Sequence, residues 1–199
     1  MAGRLIYLMG PSGAGKDTVL QGVARLLGEK ACLARRLVTR PPTDTERDAL
    51  SVSQAEFLAL ERSGGLSLAW RANGLAYGVP ADINARLAAG CDVLVNGSRE
   101  YLPEARRRYP DLLPVLLTVA QETLHQRLLA RGREGPEQIR SRMRRNLPYA
   151  ELAEDDSVLV IDNSGPVEDA ILALYRYLDP PTIFTDTSLR YVADTLGHG

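Results

Sequence analysis

Histidine is almost missing from this chain: His125 and His198 are the only two in 199 residues. That leaves little material for a histidine-based catalytic triad or a histidine-rich metal cluster. Cysteine is equally scarce. Cys32 and Cys91 are far apart and form no C-x-x-C pattern, which argues against a zinc site or a disulfide framework and for buried free thiols in a reducing compartment. No apolar run approaches the roughly 20 residues of a membrane span, and no charged-then-apolar leader opens the sequence. A cytoplasmic protein that needs no membrane is therefore expected. The net charge is −1, so no global field draws the chain to nucleic acid. Lysine is limited to Lys16 and Lys30, and every other basic residue is arginine. Arginine's planar, permanently charged fork suits phosphate, although most of these side chains belong on solvated helix faces. With 45% hydrophobic and 25% charged residues, the composition is that of a soluble globular protein of one domain.

The most informative stretch that is present is Gly10-Pro11-Ser12-Gly13-Ala14-Gly15-Lys16-Asp17-Thr18. It follows the apolar run Leu5–Met9, which reads as a buried strand, and precedes an apolar-periodic segment ending at Leu27. Strand, glycine loop and helix are the context in which G-x-x-x-x-G-K cradles a polyphosphate. Glycines let successive backbone N–H groups turn toward one anion. The positive end of the following helix adds to the field, and Lys16 is placed to reach the β- and γ-phosphates. ATP with Mg²⁺ is the expected ligand, held by Gly10 through Thr18. The residue after the lysine is ordinarily a Ser or Thr that meets Mg²⁺, but here it is Asp17. A carboxylate is also a hard oxygen ligand, so Asp17 and Thr18 are both candidates for the metal and the residues leave the choice open.

Strand candidates at Leu5–Met9, Leu37–Thr39, Asp92–Asn96, Leu113–Val119 and Val158–Ile161 alternate with helical patterns at Lys16–Leu27, Ala81–Ala89, Leu102–Arg108, Gln121–Arg131, Pro136–Ala153 and Pro166–Leu178. That alternation predicts an α/β fold of the P-loop NTPase type, with about five parallel strands flanked by helices. Between Leu50 and Tyr77 the alternation breaks. Ser53-Gln54-Ala55-Glu56 reads as a capping box, Leu66–Ala72 as a strand and Asn73-Gly74 as a hairpin turn. One domain is expected over residues 1–181, with a small acceptor-binding insert over about 36–80 and an arginine-rich lid over about 131–146. Residues 182–199 form a C-terminal extension.

These residues resemble the guanylate kinase branch of the P-loop kinases. The shared strings are the Gly10–Lys16 loop, Thr39-Arg40-Pro41-Pro42, Tyr77-Gly78, Ala89-Gly90-x-Asp92-Val93 and Arg131-Gly132-Arg133 with Arg142 downstream. The resemblance implies that Arg40 and Tyr77 hold the acceptor's phosphate and that Arg131, Arg133 and Arg142 close over the phosphates in transfer. The departures point elsewhere within that superfamily. Arg36, Leu68 and Ser98 stand where guanylate kinases place a serine, a glutamate and an aspartate to read guanine. A carboxylate that accepts from a purine edge cannot become leucine without leaving buried donors unpaired.

The loop ending Lys16-Asp17 is instead similar to that of the ribose 1,5-bisphosphate phosphokinases of bacterial phosphonate catabolism. So are Thr39-Arg40-Pro41, Trp70-x-Ala72-Asn73-Gly74-Leu75-x-Tyr77-Gly78-Val79 and Val95-Asn96-Gly97-Ser98-Arg99. This resemblance implies transfer from ATP to the 1-phosphate of ribose 1,5-bisphosphate, giving 5-phosphoribosyl 1-diphosphate. Arg36 and Arg99 would supply charge, and Asn96 and Ser98 hydrogen bonds to sugar hydroxyls. Two alternatives are a guanylate or other small-molecule kinase and a non-catalytic guanylate-kinase-like binding module. The intact Gly10, Gly15 and Lys16 weigh against the second.

Overall fold

Leu5–Met9 forms strand β1, and all five of its residues are buried. Alternate side chains go to opposite faces of a sheet. Ile6 and Leu8 enter one core and Leu5, Tyr7 and Met9 another. An uninterrupted apolar run is what a central parallel strand covered on both sides requires.

The computed structural model describes residues 2–40, 49–132, 135, 137–139 and 149–180. After β1 come α1 (Lys16–Leu27), β2 (Ala31–Leu33), β3 (Arg36–Val38), β4 (Ala49–Ser51), α2 (Gln54–Arg62), β5 (Leu66–Ala72) and β6 (Leu75–Pro80). The chain continues through α3 (Ile83–Ala88), β7 (Asp92–Asn96), α4 (Leu102–Arg108), β8 (Leu113–Thr118), α5 (Gln121–Arg131), α6 (Tyr149–Ala153), β9 (Leu159–Asp162) and α7 (Val167–Leu178). The main sheet has the order β2-β7-β1-β8-β9, and all of its pairings are parallel. Because β1 lies between β7 and β8, the loops leaving β1 and β7 diverge at one point on the carboxyl edge. That is where open α/β sheets bind ligands.

On one face of the sheet, Val19, Leu20 and Val23 of α1 and Ala170 and Leu174 of α7 pack on Ile6, Leu8, Val115 and Leu117. On the other face, Leu68, Trp70 and Val79 from the second sheet join Ile83, Leu102 and Ala105 over Leu5, Tyr7, Val93 and Val95. The second sheet has the order β4-β3-β6-β5. It is mixed, with β3 parallel to β4 and antiparallel to β6, and β5 antiparallel to β6. Its hairpin turns at Asn73 (φ 51°) and Gly74 (φ 75°), the pair of positive φ values that a two-residue turn needs. The capping box forms: Ser53 Oγ accepts from Glu56 N, and the Glu56 carboxylate accepts from Ser53 N at 2.7 Å. The bond from the Ser53 backbone N–H, with a smaller contribution from the Ser53 hydroxyl, holds the Glu56 carboxyl below its ordinary range.

Three strands depart from the sequence reading. The expected strand at Leu37–Thr39 exists as β3, but in the second sheet; the fifth place in the main sheet belongs to β2. β2 is three residues long and carries no periodicity to read. It is placed by its register against Asp92–Leu94, by Ala34 N donating to Leu94 O at 2.9 Å and by the packing of Ala31 and Leu33 in the core under α1. Chain direction then changes, and β3 leaves to pair with β6. Edge strand β4 is equally short and shows no alternation. Of the expected helix Pro136–Ala153, the final turn is α6, and the stretch 140–148 lies outside the described residues. The expected C-terminal extension at 182–199 also lies outside them. Among the described residues, no helix is long and apolar enough to cross a membrane.

Candidate active site

β1 delivers the chain to Gly10, where the phosphate loop begins. Gly10, Gly13 and Gly15 have φ values of 150°, 98° and 90°, conformations that side chains resist. Space forbids a side chain as well. A Cβ on Gly10 would sit 2.5 Å from the Leu117 carbonyl, and one on Gly15 would sit 2.9 Å from Asn163 Nδ2. The loop is thus wedged between the ends of β8 and β9. Asn163, 1% exposed, donates from Nδ2 to Ala14 O at 2.7 Å and braces the loop from behind. Lys16 Nζ donates to the carbonyls of Gly10 (2.7 Å) and Pro11 (3.0 Å), which holds its ammonium within the arc of the loop. The first helical bond runs from Val19 N to Gly15 O. The N–H groups at the start of α1 therefore have no intrahelical acceptor and point where an anion would bind.

A cleft of about 320 Å³ opens in front of the loop. Gly10, Ser12, Gly13, Gly15 and Lys16 form its floor, with Asp17 and Thr18 at the start of α1. The opposite wall is made of side chains: Arg36 from β3, Trp70 from β5, Asn73 from the hairpin turn and Tyr77 from β6. Asn96, Gly97 and Ser98 reach it from the end of β7, and Tyr149 from α6.

Asp17 links floor to wall. Its Oδ1 accepts from Asn96 Nδ2 at 2.7 Å and from Arg36 Nη2 at 3.3 Å. The Arg36 side chain is only 13% exposed, whereas Asp17 is 50% exposed. Trp70 stacks on Tyr77, with centroids 5.6 Å apart and planes 10° apart, and leans on Tyr101 at 5.7 Å. These rings give the wall a rigid aromatic backing. Tyr7 fixes the β7 exit from below. Its hydroxyl donates to Ser98 O at 3.0 Å and accepts from Ser98 N at 2.9 Å. Burial pushes this phenol well above its ordinary pKa, against the smaller opposing effect of the bond to Ser98. The ring lies so close under Gly97 that a Cβ there would be 2.1 Å from Tyr7 Cζ.

The structure brings most of the expected residues together. Gly10, Ser12, Gly13, Gly15, Lys16, Asp17, Thr18, Arg36, Tyr77, Asn96 and Ser98 all face one cleft. Pro11 and Ala14 are buried parts of the loop that shape it without lining the cleft. Two expected residues do not line this cleft. Arg40 does not line the cleft; it follows Thr39, whose backbone N–H is held by Ala76 O at 3.0 Å, and its own carbonyl accepts from Ser51 Oγ. Arg99 also stays outside. Its guanidinium lies 5.4 Å from the ring centroid of Tyr149, a residue of the cleft wall, and 3.6 Å from Glu100; Arg99 opens a short 3₁₀ turn through Tyr101. The side chain of Arg131, at the end of α5, lies outside the described residues, as do Arg133 and Arg142.

Tyr7, Tyr149 and Asn163 were not among the expected site residues. Tyr7 had a signal: a tyrosine in an otherwise aliphatic buried strand must find a partner for its hydroxyl. Asn163 had a weaker one as a polar residue directly after a strand. Tyr149 had none. Burial raises its phenol pKa, and Arg99 opposes the shift.

No group of three or more His, Cys, Asp or Glu side chains that could hold a metal ion occurs among the described residues. The cleft nevertheless fits Mg²⁺ accompanied by nucleotide, because that ion is usually held by one or two protein oxygens together with substrate phosphates. The oxygens on offer are the Asp17 carboxylate and the Thr18 hydroxyl.

No family model matches the chain, but individual proteins do. A ribose 1,5-bisphosphate phosphokinase PhnN of Pseudomonas paraeruginosa is 52% identical over 179 residues, covering 89% of this chain and 96% of its own. The protein of the same name from Pseudomonas fluorescens is 47% identical, over 90% and 96%. That from Yersinia pestis is 41% identical, over 92% and 95%. Among solved structures, a guanylate kinase from Anaplasma phagocytophilum superposes with a TM-score of 0.68, covering 98% of this chain and 95% of its own at 19% identity, which shows a common fold. With half of its residues shared along nearly its whole length, the chain belongs to the ribose 1,5-bisphosphate phosphokinase PhnN family.

Proposed function

We propose that this protein uses ATP to phosphorylate the 1-phosphate of ribose 1,5-bisphosphate, forming 5-phosphoribosyl 1-diphosphate in phosphonate catabolism. The observation that carries the reading is the pairing of two unlike walls in one cleft. A complete phosphate loop faces Arg36, Asn96 and Ser98, and Leu68 is wholly buried in the core rather than reaching the cleft as a purine-reading acid would.

Phosphoryl transfer needs positioning and charge neutralisation more than covalent chemistry. The backbone N–H groups of residues 10–18 cradle the nucleotide phosphates, and Lys16 turns from the Gly10 and Pro11 carbonyls to the transferred group. Arg36 and Tyr77 orient the acceptor, with Arg40 reaching it only if the second sheet closes on the ligand. Arg131, Arg133 and Arg142 would close from the lid and exclude water. The attacking group is a phosphate oxygen already ionised near neutral pH, so no general base is required. Thr18 is the better-placed residue for Mg²⁺, since Asp17 Oδ1 is already engaged by Arg36 and Asn96. Bound there, Mg²⁺ would neutralise charge on the group in transfer. A cytoplasmic location follows from the small-molecule substrates and needs no membrane partner.

A coupled assay of ATP consumption with ribose 1,5-bisphosphate or GMP as acceptor, with the product followed by phosphorus NMR, tests this. The bisphosphate should drive ATP consumption and yield a diphosphate at C1. Efficient phosphorylation of GMP would overturn the reading.

A further inference from the structure

Among the described residues, Asp17 is the one carboxylate that lines the cleft. We infer that Asp17 is a specificity-determining residue that accepts hydrogen bonds from the acceptor's ring hydroxyls, with Arg36 and Asn96 holding it in place. The inference rests on the acceptor being a phosphorylated pentose, as proposed above.

The geometry separates the two oxygens of the carboxylate. Hydrogen bonds from described residues fall on Oδ1 alone, from Asn96 Nδ2 and Arg36 Nη2. Those two bonds come from different strands, β7 and β3, and fix the orientation of the side chain. Oδ2 accepts nothing from the described residues, on a side chain that is half exposed in the cleft it lines.

A carboxylate can only accept. On a pentose bisphosphate the phosphates are acceptors of the same charge, and the only donors are the ring hydroxyls. Arg36 beside Asp17 marks a position for phosphate, so the carboxylate faces the sugar next to it. The Trp70–Tyr77 stack supplies an apolar surface for the C–H face of a ring. A divalent ion on this same carboxylate would be set against the Arg36 guanidinium, a like charge at the same oxygen. Thr18 carries no such conflict.

Trp70 is the single tryptophan and lines the cleft, so its fluorescence can report binding without turnover. The protein is titrated with ribose 1,5-bisphosphate and with its 2-deoxy and 3-deoxy counterparts, in EDTA and without nucleotide. Wild type should bind the parent about tenfold more tightly than at least one deoxy compound, the size of a charge-assisted hydrogen bond in a half-exposed site. Asp17→Asn should bring that ratio to about twofold or less, by weakening the parent and sparing the deoxy compound. Asp17→Ser, which restores the hydroxyl that ordinary loops carry, should not recover the discrimination.

The inference is overturned if wild type binds the three compounds equally, or if Asp17→Asn keeps the ratio. It is also overturned if the variant shifts the Mg²⁺ dependence of ATP binding and Asp17→Ser reverses the shift, since that assigns the carboxylate to the metal. The outcomes separate this idea from the reaction itself. Asp17-dependent binding without ATP turnover would sink the proposed reaction and leave the role of Asp17 standing. Turnover indifferent to the missing hydroxyl would do the reverse.

Discussion

The two walls of the cleft are built from different materials. The donor wall is backbone: three glycines at positive φ, N–H groups at the start of α1, and two carbonyls that hold Lys16. The acceptor wall is side chains on short strands, braced by one another through Asp17, Asn96, Arg36 and the Trp70–Tyr77 stack. Backbone groups are the same whatever residues carry them, so the donor wall can serve any polyphosphate and is shared with other kinases of this fold. The polar side chains of the acceptor wall can be changed one at a time, whereas Trp70 also belongs to the core beneath it. Specificity is therefore expected to reside in the acceptor wall and catalytic power in the donor wall.

The largest expected effect tests the donor wall. Lys16→Ala should lower kcat by about 10²–10³, the cost of removing one donor aimed at charge that develops in the transition state. Its melting temperature should stay within about 2 °C of wild type, as for a substitution outside any packed feature. Gly15→Ala separates geometry from charge: the added Cβ meets Asn163 Nδ2 at 2.9 Å with φ at 90°, so it should lose stability as well as activity. A Lys16→Ala enzyme with near-normal kcat would erase the distinction between the walls.

The next effect tests the acceptor wall. Arg36→Ser should raise the KM for ribose 1,5-bisphosphate by about 10- to 100-fold, corresponding to roughly 1.5–3 kcal/mol for a charge-assisted contact. The KM for ATP should move less than about twofold, because Arg36 meets the loop at the Asp17 side chain and not at the backbone N–H groups that hold the nucleotide. Steady-state kinetics with each substrate varied in turn would check this. Equal effects on both KM values would mean that Asp17 transmits the change to the loop, and the walls would then act as one unit.

The same contrast explains what the sequence could reveal. The phosphate loop was legible because backbone geometry leaves glycine at fixed spacing, and β1 because burial on both faces leaves an unbroken apolar run. α1, α4 and α5 were legible to the residue, each carrying helical periodicity or a clear start. β2 and β4 were not, because three-residue strands have no period; their places are set by pairing partners distant in sequence. Arg36 and Asn96 came through resemblance, yet their convergence on one carboxylate could not be read from positions 17, 36 and 96. Arg40 and Arg99 show the converse. Their residue type and neighbourhood suited phosphate, yet neither lines the cleft, and positions 40 and 99 alone do not say so.

The smallest effect sharpens the comparison from beneath. Tyr7 touches no substrate; it positions the Asn96–Ser98 segment through one hydroxyl that both donates to and accepts from the Ser98 backbone. Tyr7→Phe keeps the ring under Gly97 and removes only that hydroxyl. It leaves the Ser98 N–H short of that partner, while Ser98 O keeps the N–H of Tyr101 at 3.2 Å; the change should cost about 1–3 kcal/mol of stability and lower the melting temperature by roughly 2–10 °C. A purely structural role would end there. A positioning role adds a split between the substrates: the KM for the bisphosphate should rise about three- to tenfold, the net worth of one hydrogen bond, with kcat and the KM for ATP held. Destabilisation with both KM values unchanged would show that the β7 exit keeps its place without Tyr7. The bond to Asp17 and the pairing with Leu8 would then be what holds Asn96 toward the acceptor.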